Sequence, residues 1–575
     1  MQTNAWSCAV QVPQRSQITM MSASSERLLS VPFRAGAALR RRLAAFDRYD
    51  LASMALFAAL LVLVFATFNS YAITNDEDVQ QRYGEMIVAY YTTGFKDRSL
   101  FHFVNLYLYG GLFDVTAVLA QRLLPFVEPY TIRHILCALS GIGGIAAAWA
   151  TARLVAGPRA AAITAFALAA CGPWYGAIFN HTKDIPFAAA MMAATFFLLR
   201  ASRDLPRPRW RDVIGFGVFL GAALGIRSLG LLLIGYVALT IFVSGPRWRG
   251  NMREAVEFFA GSVRALLPAF MIGYLIMILA WPWAALSPLN PIRGLIDFGA
   301  FHYQIRTLLD GQIYDMANVP RWYVPAYLLY KLPLVMLTGA IISVAFILWP
   351  RGGAAGAGLQ RRNETLLLVA IGIFPVLCQV IDRGPAFTGL RHFLFVVPVF
   401  AVLAGIGFNA MLAQFAAVRP WLSRAAALGI GAALVWNAAT LVALHPYQYL
   451  FYNPLVGGMP GAAGRYEGDY WVTIMPEAVD DLEAYVARLD AAGHRTHRYT
   501  VAVCGDRLPF EKEANSRLQW VSDWTKAEFF IAPTHMNCDR ALGGREIVQI
   551  KRLGVKIGVV KDRRNLLTSE VASWP

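Results

Sequence analysis

Up to residue 445 the chain alternates long apolar runs with short arginine-bearing loops, and beyond that point its character changes. The apolar runs fall near 51–71, 131–156, 159–179, 185–200, 212–226, 229–244, 264–283, 325–349, 364–381, 390–413 and 423–444. About 20 consecutive apolar residues carry a helix across a bilayer core. The pattern therefore predicts a polytopic α-helical membrane protein with about 11 transmembrane helices. Residues 212–244 form one run broken by Arg227, Ser228 and Gly230. A single helix of that length would overshoot the bilayer. Two short spans turning at 225–230 are expected instead, and that hairpin decides between ten spans and eleven.

The loops give the direction. Arginines crowd the N-terminal tail, the loop at Arg153 and Arg159, the stretch from Arg200 to Arg211, and the loops holding Arg247, Arg351 and Arg419. With eleven spans, all of them fall on the side of the N-terminus, which the positive-inside rule makes cytoplasmic. Ten spans would put later basic loops outside. The opposite face then receives 72–130, 180–184, 284–324, 382–389 and everything after 445. The first of these is a long loop with amphipathic stretches at 83–91 and 103–124, expected to lie in the membrane interface.

After 445 the periodicity is that of a small α/β domain. A helix is expected over 477–490, and strands over 499–504, 527–532, 546–551 and 555–560, the last two joined as a hairpin. The chain thus divides into a cytoplasmic, disordered tail (1–50), a membrane domain (51–444) and a soluble extracytoplasmic α/β domain (445–575).

Composition supports this division. Of the 575 residues, 57% are hydrophobic and 15% charged, against roughly a quarter charged in soluble proteins. The net charge of +16 sits in loops between apolar runs, with no basic, aromatic-studded stripe in the soluble part. Membrane lipid head groups are the expected partners, and nucleic acid is not. Residues 1–30 lack the apolar core of a signal peptide, and 51–71 reads as a retained signal anchor. Among the six cysteines no zinc-ligand spacing occurs. Cys137, Cys171 and Cys378 read as packing residues. Cys504 and Cys538 could pair if their domain is extracytoplasmic.

Five polar motifs interrupt the outer face. Asn75-Asp76-Glu77-Asp78 follows the first span. Adjacent carboxylates repel, which can raise a pKa and supply a general base or hold a divalent cation; a solvated loop is the bland reading. In Asn180-His181-Thr182-Lys183-Asp184-Ile185-Pro186, Asp184 can cap a helix and Pro186 suits a first turn. Lys183 there opposes the orientation bias and either meets a phosphate or snorkels to head groups. Arg227 lies inside or just above the membrane, where arginine is costly and a functional candidate by default. Arg391 and His392 open a late span, with Asp382 and Arg383 nearby; Arg391 has no adjacent carboxylate, and a guanidinium fork suits phosphate. The aromatic stretch from His445 to Trp471 is explained by a membrane aromatic belt. Together these place carboxylates and cations on one face beside a bilayer, an arrangement suited to displacing a lipid-linked phosphate from a sugar carbon.

These motifs resemble the membrane glycosyltransferases of the C-type fold, in the dolichyl-phosphate-mannose protein mannosyltransferase-like group that includes bacterial aminoarabinose transferases. The resemblance rests on Asp76-Glu77, on Tyr107-Leu108-Tyr109-Gly110-Gly111-Leu112-Phe113-Asp114, on the helix start from His181 to Pro186 and on Arg391-His392, and covers roughly 50–445. It implies a GT-C-like membrane fold. It also implies transfer of a sugar from a polyprenyl-phosphate donor to an acceptor hydroxyl, usually with inversion, at the outer face of a bacterial inner membrane. Asp76 is then the base, with Glu77 its neighbour and competitor. Lys183, Arg227, Arg391 and His392 would hold the donor phosphate. The acceptor is a glycan, lipid or protein. No cofactor is implied with certainty, and a divalent cation remains open. The segment 284–324 is too short for the β-trefoil of the protein mannosyltransferases, which speaks against protein O-mannosylation. Two other classes stand beside this reading: a transporter or flippase of a lipid-linked sugar, and a non-catalytic envelope assembly protein.

Overall fold

The computed structural model describes residues 47–245, 252–300, 305–349, 357–382, 386–493 and 497–567. The N-terminal tail up to residue 46, the loop arginines Arg247, Arg249 and Arg351, Arg383 and the side chain of Asp382 lie outside the described residues.

Each apolar run coincides with helix. The main helices are α1 (Arg48–Thr67), α2 (Glu77–Thr92), α3 (Leu112–Leu123), α4 (Pro129–Ala156), α5 (Pro158–Ala169), α6 (Asp184–Ser202), α7 (Trp210–Leu224), α8 (Leu232–Ser244) and α9 (Met252–Ala280). They continue with α10 (Asn290–Ala300), α11 (Tyr323–Lys331), α12 (Leu334–Leu348), α13 (Ala357–Asp382), α14 (Val397–Val418) and α15 (Pro420–Leu444). Among the described residues, seven helices are long and apolar enough to cross a membrane, or eight if the bent pair α11–α12 is one span. The protein is a multi-pass membrane protein. The other expected spans are shorter helices: α5 is 12 residues, α7 is 15 and α8 is 13.

The run at 325–349 is not one straight helix. It bends by 113° between α11 and α12, at Pro333, which lacks the N–H an unbroken helix would use. The expected hairpin at 212–244 is a break at 225–231 between α7 and α8. α7 packs on α9 and α6, whereas α8 packs on α6 and α13.

The centre of the bundle is α4, α5, α6 and α14, with α12 against α14. Small residues allow the close approach: an added Cβ at Gly407 would lie 2.1 Å from the Gly339 carbonyl. α1 and α15 are peripheral, leaving Val62, Phe65, Val435 and Val442 exposed on their outer flanks. Those are surfaces for lipid chains.

The amphipathic first loop forms α2 and α3, packed together. The segment 284–324 holds α10 and a two-stranded hairpin, β1 (Arg306–Leu309) and β2 (Gln312–Asp315). The C-terminal region carries α16 (Met475–Gly493), α17 (Arg507–Glu513) and a five-stranded sheet. Its strands are β3 (Tyr499–Val503), β4 (Leu518–Trp520), β5 (Phe529–Pro533), β6 (Arg545–Arg552) and β7 (Val555–Asp562), in the order β4-β3-β5-β7-β6. β4, β3 and β5 run parallel, and β7 and β6 add antiparallel. All four strands expected from the sequence are present, and β4, only three residues long, is additional. Cys504 and Cys538 are disulfide-bonded. Cys137 and Cys171 are buried, while Cys378 is exposed.

The aromatic stretch after α15 is not a membrane belt. Tyr447, Tyr449, Tyr452, Tyr466 and Trp471 are buried inside the protein. They form the joint between bundle and sheet: the Tyr449 hydroxyl donates to Asp469, and that of Tyr452 donates to the Glu467 carbonyl 2.9 Å away.

Candidate active site at the helix ends

The start of α6 is the hub. Asp184 is its first residue and only 2% exposed. The N-cap position is held by Lys183, one residue before it. One Asp184 carboxylate oxygen accepts from the Arg227 guanidinium, and the other accepts from Arg391 Nε at 3.0 Å. Arg391 also donates to Asp76 through its second nitrogen. The result is a chain of alternating charge, Asp76–Arg391–Asp184–Arg227, drawn from four separate helix ends.

Asp76 is the open end of that chain. It is 39% exposed, whereas neighbouring Glu77 is buried completely. Glu77 accepts from the Thr74 amide at 2.8 Å and lies 3.2 Å from His134 Nε2. Asp78 pairs with Arg82 at 2.8 Å. Of the three adjacent acids, Asp76 is the one that pairs with Arg391 among the described residues.

Lys183 is buried, with its ammonium 4.4 Å from the centre of the Tyr109 ring. It forms no salt bridge among the described residues. Burial pushes its pKa down to about 8. The loop 107–114 that brings Tyr109 there depends on two glycines. The Leu112 amide donates to the Gly225 carbonyl at 2.9 Å and the Gly111 amide to that of Ala280 at 3.0 Å. A Cβ on Gly110 would lie 2.0 Å from the Gly225 oxygen, so only glycine permits the approach. That contact is two residues from Arg227 and anchors the break between α7 and α8.

Beneath Lys183 a second pair is closed. Arg133 donates to Asp114 at 2.7 Å and to Gln80 at 3.2 Å, all three buried. Burial raises the Asp114 carboxyl, and the adjacent Arg133 and Lys183 oppose that rise. The His392 ring packs edge-on against Phe387 at 4.4 Å.

The C-terminal region contributes a wall. The Arg391 guanidinium carbon lies over the Trp471 ring, 4.2 Å from its centre. The indole N–H donates to His181 Nε2 at 3.0 Å, and the Tyr470 hydroxyl is 3.1 Å from the same nitrogen. Burial lowers the His181 pKa to about 4. The ring is therefore neutral at pH 7, with Nε2 accepting and Nδ1 facing the Asn180 oxygen at 3.1 Å. The Asp506 amide reaches Asn75 at 3.4 Å, which brings the sheet domain against the acidic motif.

Two carboxylates, Asp76 and Asp184, thus face three cations, Lys183, Arg227 and Arg391. One positive charge is left over, and Arg227 Nε is buried without a hydrogen-bond partner among the described residues. Such a cluster is built to receive an anion. Beside it, an apolar cavity of about 510 Å³ runs along α4, α6 and α7. It is lined by Phe113, Leu136, Pro186, Ala190, Phe197 and Ile226, and Ile226 adjoins Arg227. Among the described residues, no group of three or more His, Cys, Asp or Glu is placed to hold a metal ion.

Sequence reasoning named Asp76, Lys183, Arg227 and Arg391, and the fold brings these four together. It read Asp184 as a helix cap and Trp471 as belt. The one available signal for Asp184 was that an acid at membrane depth needs a partner.

A family model for dolichyl-phosphate-mannose-protein mannosyltransferase matches residues 130–281, inside the stretch that carries the family resemblance. No curated protein matches the chain. Among solved structures, ArnT from Cupriavidus metallidurans in the apo state is 17% identical over 89% of this chain and 98% of that one, with a TM-score of 0.47. The same protein bound to undecaprenyl phosphate is 16% identical over 88% and 97%, at 0.46. The Archaeoglobus fulgidus oligosaccharyltransferase AglB, in complex with an inhibitory peptide and a dolichol-phosphate, is 14% identical over 83% and 69%, at 0.39.

Proposed function

We propose that the protein is a glycosyltransferase that takes a sugar from a polyprenyl-phosphate donor and passes it to an acceptor hydroxyl, at the periplasmic face of a bacterial inner membrane. The observation that carries this reading is the pairing of the half-exposed Asp76 with Arg391, which shares the buried Asp184 with Arg227. A general base and an anion site stand side by side. The family match over 130–281 points the same way. The arginine-rich loops support the orientation.

The chemistry follows from the groups present. Arg391, Arg227 and Lys183 bind the donor phosphate, and the apolar cavity along α6 takes the first isoprene units. Asp184 is a positioning residue that keeps both guanidinium forks aimed. The acceptor oxygen attacks the anomeric carbon while Asp76 takes its proton. The bond from that carbon to the phosphate oxygen breaks, and the phosphate leaves with the electron pair, its charge met by the three cations. A single displacement of this kind inverts the anomeric centre. Were a divalent cation required, Asp76 would hold it, and it would add neutralising charge at the phosphate.

Asp76→Asn is the test. Sugar transfer should fall by about 10²–10⁴-fold, the usual contribution of a general base, with undecaprenyl-phosphate binding retained. Full activity in this variant would overturn the mechanism.

A further inference from the structure

The long helix α9 ends at Ala280. One flank of it, carrying Met271, Leu275 and Leu279, is exposed, at the four-residue spacing of a single helix face. Two hydrogen bonds fix what lies level with its end. The Trp281 indole N–H donates to the Tyr107 carbonyl at 2.7 Å, and the Tyr91 hydroxyl donates to the Leu279 carbonyl at 2.9 Å. α10 comes next in the chain and packs on residues 106–108 and 228–231. The second of these segments begins one residue after Arg227.

α10 has three sides. Asn290, Pro291 and Gly294 are buried. A Cβ on Gly294 would lie 3.3 Å from the Trp283 ring and 3.4 Å from that of Trp281. The Asn290 side-chain amide donates to the Trp283 carbonyl at 2.8 Å. Ile292, Leu295 and Ile296, with Leu289 just before the helix, are exposed, Ile296 by 64%. At 3.6 residues per turn these four share an arc of about 120°. Arg293 and Asp297 border that arc on one edge and are exposed too. A helix lying on a protein in water turns its apolar stripe inward. α10 does the reverse: small and polar residues face the protein, and the stripe faces out.

The loop beside it behaves alike. Val104 is 68% exposed and has a φ of 50°, a left-handed backbone that a β-branched residue rarely adopts. Such a conformation persists where surrounding structure enforces it. It stands two residues before the segment that α10 covers, with its apolar side chain outward.

We infer that α10 lies in the plane of the membrane surface, with Leu289, Ile292, Leu295 and Ile296 among the acyl chains of the leaflet on the active-site side and Val104 beside them. Lipid is the occupant because the stripe continues the exposed flank of α9 at the level where that helix ends. In-plane helices of this kind sink their apolar face about 5–10 Å into the boundary between head groups and chains. Arg293 and Asp297 then lie at the head-group edge. Because α10 packs on 228–231, its seating holds the Arg227 break at the depth of lipid phosphates. The placement does not depend on glycosyl transfer. What it adds to that reading is a fixed depth for the phosphate site.

The test uses the full-length protein in lipid nanodiscs, with Cys8→Ser and Cys378→Ser as background. Nitroxide labels are placed through Ile292→Cys, Ile296→Cys and Asp297→Cys. Val442→Cys on α15 serves as the lipid reference and Arg488→Cys on α16 as the water reference, both positions being exposed. Each label is read by its collisions with oxygen, which concentrates in lipid, and with a nickel chelate, which stays in water. The oxygen-to-nickel ratio at 292 and 296 should match that at 442 and stand several-fold above that at 297 and 488. A second measurement needs no label on the helix: the free thiol of Ile296→Cys should react several-fold more slowly than that of Asp297→Cys with a membrane-impermeant maleimide, because an apolar setting disfavours the thiolate. A water-like ratio at 296, equal ratios at 296 and 297, or equal maleimide rates would overturn the inference. A 296 label shielded from both oxygen and nickel would show a protein covering this face, which overturns the lipid assignment as well.

Discussion

The two ends of the bundle treat buried charge differently. At the arginine-rich end, carboxylates are closed off in local pairs. Asp50 accepts from both nitrogens of the Arg153 fork at 2.9 and 2.7 Å. Glu364 does the same with Arg203 at 2.6 and 2.8 Å, and Asp212 pairs with Arg200 at 3.0 Å. Each ties neighbouring segments through one carboxylate and one arginine. At the opposite end of the bundle the charges form an open chain, Asp76–Arg391–Asp184–Arg227, with Lys183 left over. A closed pair fixes geometry, whereas an unbalanced chain with one accessible carboxylate is a place for a ligand and a reaction. α6 carries both designs: Asp184 opens it and Arg203 follows its end.

The comparison can be broken most sharply at Arg391. Arg391→Lys keeps the charge but cannot reach Asp76 and Asp184 together, and transfer should fall by about 10²–10³-fold. If lysine served as well, the fork geometry would be irrelevant and the outer chain would be only a charge reservoir. At the other end, Glu364→Gln should leave transfer per folded molecule unchanged. It should cost about 1–3 kcal/mol of stability, the scale of a hydrogen-bonded charge, seen as earlier thermal unfolding in nanodiscs. A comparable loss of activity there would erase the distinction between the two ends.

A subtler effect concerns pH. Lys183 is held down to about 8 by burial. Its cation is present below that value and lost above it, so affinity for undecaprenyl phosphate should fall several-fold as pH rises from 7 to 9. Bound phosphate will move the midpoint upward. Lys183→Arg should flatten the profile, and a wild type with no pH dependence would remove Lys183 from the phosphate site. The smallest expected effect is that of chelation. EDTA should leave transfer unchanged, and loss restored by Mg²⁺ or Mn²⁺ would establish a metal requirement instead.

Much of this was legible in the residues. Apolar runs place every long helix, because a span buries its length in lipid and needs no distant partner. Asp76, Arg227 and Arg391 stand out because charge beside a bilayer is costly. Asp184 did not, because an acid before Ile185-Pro186 is already explained as a helix start. Its partners lie 43 and 207 residues away, a distance no local pattern bridges. Trp471 was hidden for a related reason: aromatic residues after a last span fit a belt, and only the docking of the sheet domain turns that ring onto Arg391. The three-residue β4 gave too short a periodicity to recognise, since its pairing with β3 is set by the sheet rather than by its own pattern.

The most direct measurement is lipid and glycan mass spectrometry of envelopes from a deletion strain complemented with wild type, Asp76→Asn or Glu364→Gln at matched protein levels. The expected result is a polyprenyl-phosphate sugar that accumulates, with an under-decorated acceptor, in the deletion and Asp76→Asn strains alone. Normal decoration by Asp76→Asn would contradict the assignment of the outer cluster as the catalytic site.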